Sequence, residues 1–126
     1  MDKISVLIIE DDEFLSDMYK TKFESLEDFD VNVAQDGEEG LKLLNGGLKP
    51  NIILLDIVMP KMDGIEVLSN IKNIGDCKDV PVVMLTNLGQ KEEIDKAMQM
   101  GATDYFIKAN FTPSEVVEKV RAILNK

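Results

Sequence analysis

Residues 52–56 read Ile52-Ile53-Leu54-Leu55-Asp56, four consecutive apolar residues followed by a carboxylate. A strand that is apolar on both faces is typical of a parallel sheet that helices cover on both sides. A turn ahead of Pro60 would also explain Asp56, but a carboxylate at the end of a buried strand indicates a functional site. The segment therefore predicts both a sheet and the place where a site would lie.

The same apolar pattern recurs on either side of this segment. Val6-Leu7-Ile8-Ile9 and Val82-Val83-Met84-Leu85 are also continuous apolar runs. With two shorter runs they predict five strands, over residues 4–9, 31–34, 51–55, 81–85 and 104–107. The stretches between the strands place apolar residues at helical spacing. This alternation predicts an α/β fold, a (βα)5 doubly wound parallel sheet that forms a single domain over residues 1–126.

Composition and charge exclude several classes of function. With 126 residues and 44% apolar residues, the chain can bury the core of one domain. No apolar run approaches the roughly 20 residues of a membrane span, so we expect a soluble, cytoplasmic protein that does not bind membranes. The net charge of −10 disfavours direct nucleic-acid binding. Because the chain has no histidine, histidine acid–base catalysis and histidine metal ligation are excluded.

Five polar side chains follow the predicted strands directly. Glu10 and Asp11 follow the first strand, Asp56 the third, Thr86 the fourth and Lys108 the fifth. In open α/β sheets the ligand crevice lies beyond the carboxyl ends of the strands, where the winding reverses. With the doubly wound order 2-1-3-4-5, strands 1 and 3 flank that point. We therefore expect the three carboxylates to converge there, with Thr86 and Lys108 at the rim.

These residues belong to four short motifs, each of them common by itself. They are Ile9-Glu10-Asp11, Leu55-Asp56-Ile57-Val58-Met59-Pro60 with Met62-Asp63-Gly64, Leu85-Thr86, and Asp104-Tyr105-Phe106-Ile107-Lys108. Taken together and in this order, they resemble the receiver domain of bacterial two-component response regulators. The resemblance covers residues 3–125 and implies a flavodoxin-like receiver fold, similar to that of chemotaxis receivers.

The resemblance implies that Asp56 accepts a phosphoryl group in the presence of Mg2+, for which Mn2+ can substitute. A carboxylate and a phosphoryl donor are both anionic, so their charges must be neutralised before they meet. The expected ligands of the metal are the oxygen donors that Mg2+ prefers: Glu10, Asp11, Asp56 and the backbone carbonyl of Val58. A run of acidic residues is more often a solvated helix start, but Glu10 and Asp11 end a buried strand.

Three further residues take roles from the same resemblance. Lys108 would contact one phosphoryl oxygen and the Thr86 hydroxyl another. Tyr105, three positions before the lysine, matches the aromatic switch residue of the family. The alternatives with no functional role are a surface position for Lys108, a strand-capping position for Thr86 and a core position for Tyr105.

The sequence departs from the family pattern at two positions. Ala109 follows Lys108 where the family usually has proline, often through a cis bond. Since a cis bond before a non-proline residue costs about 3–4 kcal/mol, we expect the Lys108–Ala109 bond to be trans. Asn87 follows Thr86 where the family often has a small residue, so the lifetime of an aspartyl phosphate cannot be read from the sequence.

The resemblance also implies partners. The phosphoryl donor would be a sensor histidine kinase or a histidine phosphotransfer protein, which would contact the first helix and the loop after strand 5, at Phe14, Leu15, Asn110 and Phe111. A downstream protein would bind the surface of helix 4, strand 5 and helix 5, which includes Lys91, Glu92, Ile94, Tyr105 and Lys119. The sequence leaves open whether the receiver stands alone or is part of a longer regulator.

Two other functions compete with this hypothesis. A binding module could keep the fold and work without phosphorylation, although such a module need not retain all five polar residues. A phosphatase of the haloacid dehalogenase type also forms an aspartyl phosphate. It requires a second aspartate two residues after the nucleophile, where this chain has Val58. We therefore expect a signalling domain that catalyses only its own phosphorylation and dephosphorylation.

Overall fold

The computed structural model describes residues 3–125; Met1, Asp2 and Lys126 of the predicted domain lie outside the described residues. Strands and helices alternate along the chain. In order, they are β1 (Ile4–Ile9), α1 (Glu13–Glu24), β2 (Phe29–Ala34), α2 (Gly37–Asn45), β3 (Ile52–Asp56), α3 (Gly64–Lys72), β4 (Val82–Thr86), α4 (Lys91–Gln99), β5 (Asp104–Ile107) and α5 (Pro113–Leu124). Short 3-10 turns span Gly75–Cys77 and Lys108–Asn110.

The sheet has the predicted topology. Its five strands lie in the order β2-β1-β3-β4-β5, and all four pairings are parallel. The predicted flavodoxin-like α/β fold and its strand order are therefore confirmed.

The core consists of two apolar layers, one on each face of the sheet. Along β3, Ile53 and Leu55 point into the layer that α2, α3 and α4 cover. Ile52 and Leu54 point into the opposite layer, which α1 and α5 cover. Successive strand residues face opposite sides, so an apolar residue at every position is what a sheet covered on both faces requires.

Five strand boundaries differ from the prediction, since β3 and β4 also begin one residue later than expected, at Ile52 and Val82. β2 begins at Phe29, two residues earlier than expected, and Phe29 is buried edge-on against Phe23 with ring centroids 4.9 Å apart. The exposed Asp30 interrupts the apolar pattern there, which concealed the start of the strand. At the other ends, β3 includes Asp56 and β4 includes Thr86, so both polar residues are held by the sheet itself.

Helix ends follow the expected chemistry. Thr112 accepts a hydrogen bond from the backbone N–H of Glu115, and the Glu115 carboxylate accepts one from the backbone N–H of Thr112. This capping box satisfies two otherwise unpaired N–H groups at the start of α5. No helix within residues 3–125 is both long enough and apolar enough to cross a lipid bilayer.

Candidate functional site

The carboxyl ends of β1 and β3 bring three carboxylates together. Glu10 follows β1, Asp56 ends β3, and Asp11 follows Glu10 in the chain. One carboxylate oxygen from each of these residues lies within 4.8 Å of the others. β1 pairs with β2 on one side and with β3 on the other, so the cluster lies at the point where the winding reverses, as predicted from the sequence.

Lys108 closes this cluster from the end of β5. Its Nζ lies 2.6 Å from Oε1 of Glu10 and 3.0 Å from Oδ1 of Asp56, and its side chain is only 10% exposed. The lysine begins a 3-10 turn, and its bond to Ala109 is trans, as predicted. The structure thus places Lys108 between the two buried carboxylates.

Glu10 is fully buried, and its two carboxylate oxygens differ in environment. Oε2 accepts a hydrogen bond from the backbone N–H of Asp12 at 3.3 Å. Oε1 lies 2.6 Å from the Lys108 ammonium, and no neutral group among the described residues donates a hydrogen bond to it. A buried oxygen with unused acceptor capacity fits a cation ligand.

Burial and the negative charge of the cluster shift the ionisation of its members. Burial and then the neighbouring Glu10 raise the pKa of Asp56 to about 8, although the Lys108 ammonium opposes the shift. For Lys108, burial alone would lower the pKa, but Glu10 and Asp56 outweigh it and raise the pKa above its usual value. The lysine therefore stays charged, and with a pKa of about 8 Asp56 keeps its proton at neutral pH when no metal ion is bound.

The donor set fits a hard divalent cation. All three side chains offer carboxylate oxygens, three acidic groups lie beside a single lysine, and Oε1 of the buried Glu10 contacts only that lysine. Mg2+ binds such oxygens and keeps several waters. Val58, whose backbone carbonyl is the fourth predicted ligand, lies two residues after Asp56 in the loop between β3 and α3.

Thr86 lies at the same edge of the sheet but does not contact Asp56 through its hydroxyl. It ends β4 and is fully buried. Its hydroxyl lies 2.8 Å from Oε1 of Gln90 and 3.0 Å from the carbonyl oxygen of Asn87. Tyr105 lies on β5 with 40% of its surface exposed. In this structure the Thr86 hydroxyl is therefore bonded within the loop after β4, and the Tyr105 side chain is partly exposed.

Two residues at this edge were not among the predicted site residues. Gly64 begins α3, and a Cβ atom on it would overlap the backbone carbonyl oxygen of Asp56 and the Cα of Ile57. In the sequence, Gly64 was noted only as the last residue of the Met62-Asp63-Gly64 motif. That motif is the pattern from which its importance could have been predicted. Oε1 of Gln90 accepts a hydrogen bond from the Thr86 hydroxyl. No pattern in the sequence distinguishes Gln90 from other polar loop residues.

The chain is similar to known proteins along most of its length. Residues 6–121 match the family model of the response regulator receiver domain. The chain is 37% identical over 121 residues to the transcriptional regulatory protein CpxR of Escherichia coli K12, covering 96% of this chain and 49% of CpxR. It is also 37% identical over 121 residues to the DNA-binding dual master transcriptional regulator RpaA of Synechocystis sp., with the same coverage, 96% and 49%. The chain thus spans about half the length of the curated relatives it matches.

A solved structure resembles the whole chain. The receiver domain of the Francisella response regulator 1452 superposes with a TM-score of 0.84 at 31% sequence identity, and the match covers 98% of each chain. The sheet order and the cluster of acidic residues are therefore found in a chain that is similar to receiver domains along nearly its full length.

Proposed function

Because the chain belongs to the response regulator receiver domain family of two-component signalling, we propose that Asp56 is its phosphoacceptor. The position of Lys108 supports this assignment most directly, since its ammonium lies 3.0 Å from the buried Asp56 carboxylate. A buried carboxylate that ends a central strand, beside a charged lysine and two further acids, is arranged for phosphoryl transfer. We also propose that residues 1–126 form one receiver domain.

The proposed step is an in-line displacement at phosphorus. An oxygen of the Asp56 carboxylate bonds to phosphorus as the bond from phosphorus to the donor's imidazole nitrogen breaks. The imidazole leaves with that electron pair, and the product is an aspartyl phosphate. Lys108 neutralises charge on the transferred group, as positioned cations do in this class of reaction. The Thr86 hydroxyl donates to a phosphoryl oxygen after it turns from Gln90.

Glu10, Asp11 and Asp56 would hold the divalent cation, together with the backbone carbonyl of Val58. Mg2+, or Mn2+ in its place, would supply the positive charge that brings two anionic reactants together. Neutralising Glu10 in this way also removes a cause of the raised pKa of Asp56. Asp56 would then be ionised, as a nucleophile must be, at neutral pH.

The family is a signalling module, and its phosphoryl groups come from histidine kinases. We propose that a sensor histidine kinase or a histidine phosphotransfer protein contacts α1, where Phe14 is 74% exposed, and the turn at Asn110. A downstream protein would bind the face of α4, β5 and α5. A cytoplasmic location, no contact of this acidic domain with nucleic acid or membrane, and no turnover of a separate substrate are parts of the same proposal.

Labelling with a small acyl phosphate tests the phosphoacceptor. With acetyl phosphate and Mg2+, we expect the wild type to gain one phosphoryl group by intact mass and Asp56→Asn to gain none. Asp79→Asn is the matched control, because Asp79 is exposed and outside the site. Labelling of Asp56→Asn at the wild-type stoichiometry would contradict the assignment.

A further inference from the structure

Gln90 occupies an unusual place at the start of α4. It precedes Lys91 as the N-cap residue, yet its side chain makes no capping hydrogen bond to the helix. Gly89, with a φ of +85°, turns the chain so that the Gln90 side chain lies over the end of β4. There Oε1 of Gln90 accepts two hydrogen bonds, from the backbone N–H of Asn87 at 2.8 Å and from the Thr86 hydroxyl at 2.8 Å.

The hydrogen bond from the Asn87 backbone N–H shows which atom of the Gln90 amide faces Thr86. A backbone N–H is only a donor, so the Gln90 atom that faces Asn87 must be the amide oxygen and not the nitrogen. The same oxygen faces Thr86, and an amide oxygen only accepts. Thr86 must therefore donate its single hydroxyl proton if it bonds to Gln90.

On the basis of the phosphoacceptor function proposed above, we propose that Gln90 is a positioning residue that holds the Thr86 hydroxyl away from Asp56 in the unphosphorylated protein. A hydroxyl has one proton, and both acceptors near Thr86, Gln90 Oε1 and the Asn87 carbonyl, lie in the loop after β4. A phosphoryl group on Asp56 must compete with them for that proton. Gln90 thus sets how strong the phosphoryl contact must be before the domain switches.

The release of Thr86 leaves no buried polar atom unpaired. Oε1 of Gln90 keeps the Asn87 N–H, and the Thr86 hydroxyl gains a charged acceptor, which binds more strongly than a neutral one. Gln90 also lines a cavity of about 330 Å³ together with Tyr105, Met98 and Ile107. The side chain that restrains Thr86 therefore borders the space beside Tyr105.

The affinity for a phosphoryl mimic measures the competition. With Mg2+ present, we expect Gln90→Ala and Gln90→Met to bind beryllofluoride about two- to tenfold more tightly than the wild type, as the loss of one neutral competing hydrogen bond implies. Gln99→Ala, at the exposed end of the same helix, should bind as the wild type does. In a Thr86→Val background, which lacks the hydroxyl, the Gln90 substitutions should change the affinity by less than the single variants do.

A second measurement needs no phosphoryl mimic. Three-bond NMR couplings of the Thr86 methyl carbon report its χ1 rotamer in the free protein, which we expect to be single in the wild type and in Gln99→Ala but averaged in the Gln90 variants. Unchanged Thr86 rotamers in both Gln90 variants would overturn the proposal, and so would an affinity gain that persists undiminished in Thr86→Val. If no protein binds beryllofluoride, the phosphoacceptor function fails, while the rotamers still decide the role of Gln90.

Discussion

The raised pKa of Asp56 makes the metal-free domain depend on pH in a defined direction. Burial and Glu10 raise this pKa from its ordinary value to about 8, so between about pH 4 and pH 8 the folded state binds a proton that the unfolded state has lost. Stability is therefore greatest at the acidic end of this window and falls as the pH rises towards 8. The slope is at most about 1.4 kcal/mol per pH unit for one proton. Urea unfolding in EDTA at pH 5 and pH 8 measures it.

Two comparisons test whether Asp56 causes this pH dependence of stability. Asp56→Asn cannot titrate, so the difference between pH 5 and pH 8 should shrink in this variant, whereas Asp79→Asn should retain it. Mg2+ binds the assembled site and not the unfolded chain, so it should restore stability at pH 8. Equal pH dependence in the wild type and Asp56→Asn would show that Asp56 does not titrate in this range.

The individual site residues were predictable to different degrees. Glu10, Asp56 and Lys108 could be placed at one edge from the sequence because the ends of parallel strands share one edge of a sheet. In the structure the Lys108 ammonium lies within 3.0 Å of both carboxylates. The direction of the Thr86 hydroxyl could not be predicted in the same way. Its rotamer depends on Gln90, a loop side chain whose position is fixed by the turn at Gly89 and not by any periodic pattern.

At the scale of secondary-structure elements, Gly64 at the start of α3 lies against the end of β3. The Gly64 N–H donates to the Ile57 carbonyl at 2.6 Å, and a Cβ atom would overlap the Asp56 carbonyl oxygen. We expect Gly64→Ala to destabilise the domain by about 1–3 kcal/mol, as overpacking does, and to slow acetyl phosphate labelling because the backbone of Asp56 must shift. Chemical denaturation and labelling rates measure the two effects.

Gly75→Ala is the matched control for this substitution. Gly75 begins the 3-10 turn at Gly75–Cys77, and nothing lies within 4 Å of where its Cβ would be. Its substitution should change the free energy of unfolding by less than about 1 kcal/mol. Equal effects of the two substitutions would mean that the contact between α3 and β3 does not position Asp56.

The strands were easiest to predict from the sequence where all of their residues are buried. Every residue of β3 is buried, so its apolar run was unambiguous. β2 is an edge strand with partly exposed residues, and its start at Phe29 was missed. An edge strand faces solvent along part of its length, and its composition is correspondingly less diagnostic.

For the whole molecule, signalling requires that an event at Asp56 change a surface some distance away. β4 carries Thr86 and pairs with β5, which carries Tyr105. If Thr86 turns to a phosphoryl oxygen, the charge-assisted hydrogen bond contributes about 1.5–3 kcal/mol. It also vacates space into which the half-exposed Tyr105 ring can turn. This hydrogen bond alone is worth a roughly 10- to 150-fold shift of a two-state equilibrium, and the lost contact with Gln90 reduces that shift about two- to tenfold, so the switch is not absolute.

The chain contains two tyrosines. One can report occupation of the site at Asp56, and the other can report the change of the distant surface. Tyr19 is 2% exposed, and the charges of Lys108, Glu10 and Asp56 act on its hydroxyl, so its ring signal should respond when the site is occupied. Tyr105 is 40% exposed and lines the cavity beside Gln90, so it should respond only when the surface changes. In wild-type protein with ring-labelled tyrosine, beryllofluoride and Mg2+ should shift both signals.

Thr86→Val should separate the two responses. This variant keeps Asp56, Lys108 and the acidic cluster but lacks the hydroxyl that would link a phosphoryl group on Asp56 to β4. We therefore expect beryllofluoride to shift the Tyr19 signal as in the wild type, while the Tyr105 signal stays near its position in the free protein. A full Tyr105 shift in Thr86→Val would mean that another route carries the coupling. Loss of the Tyr19 response would instead show that Thr86 is needed for binding, because the switch cannot fail independently if the site is never occupied.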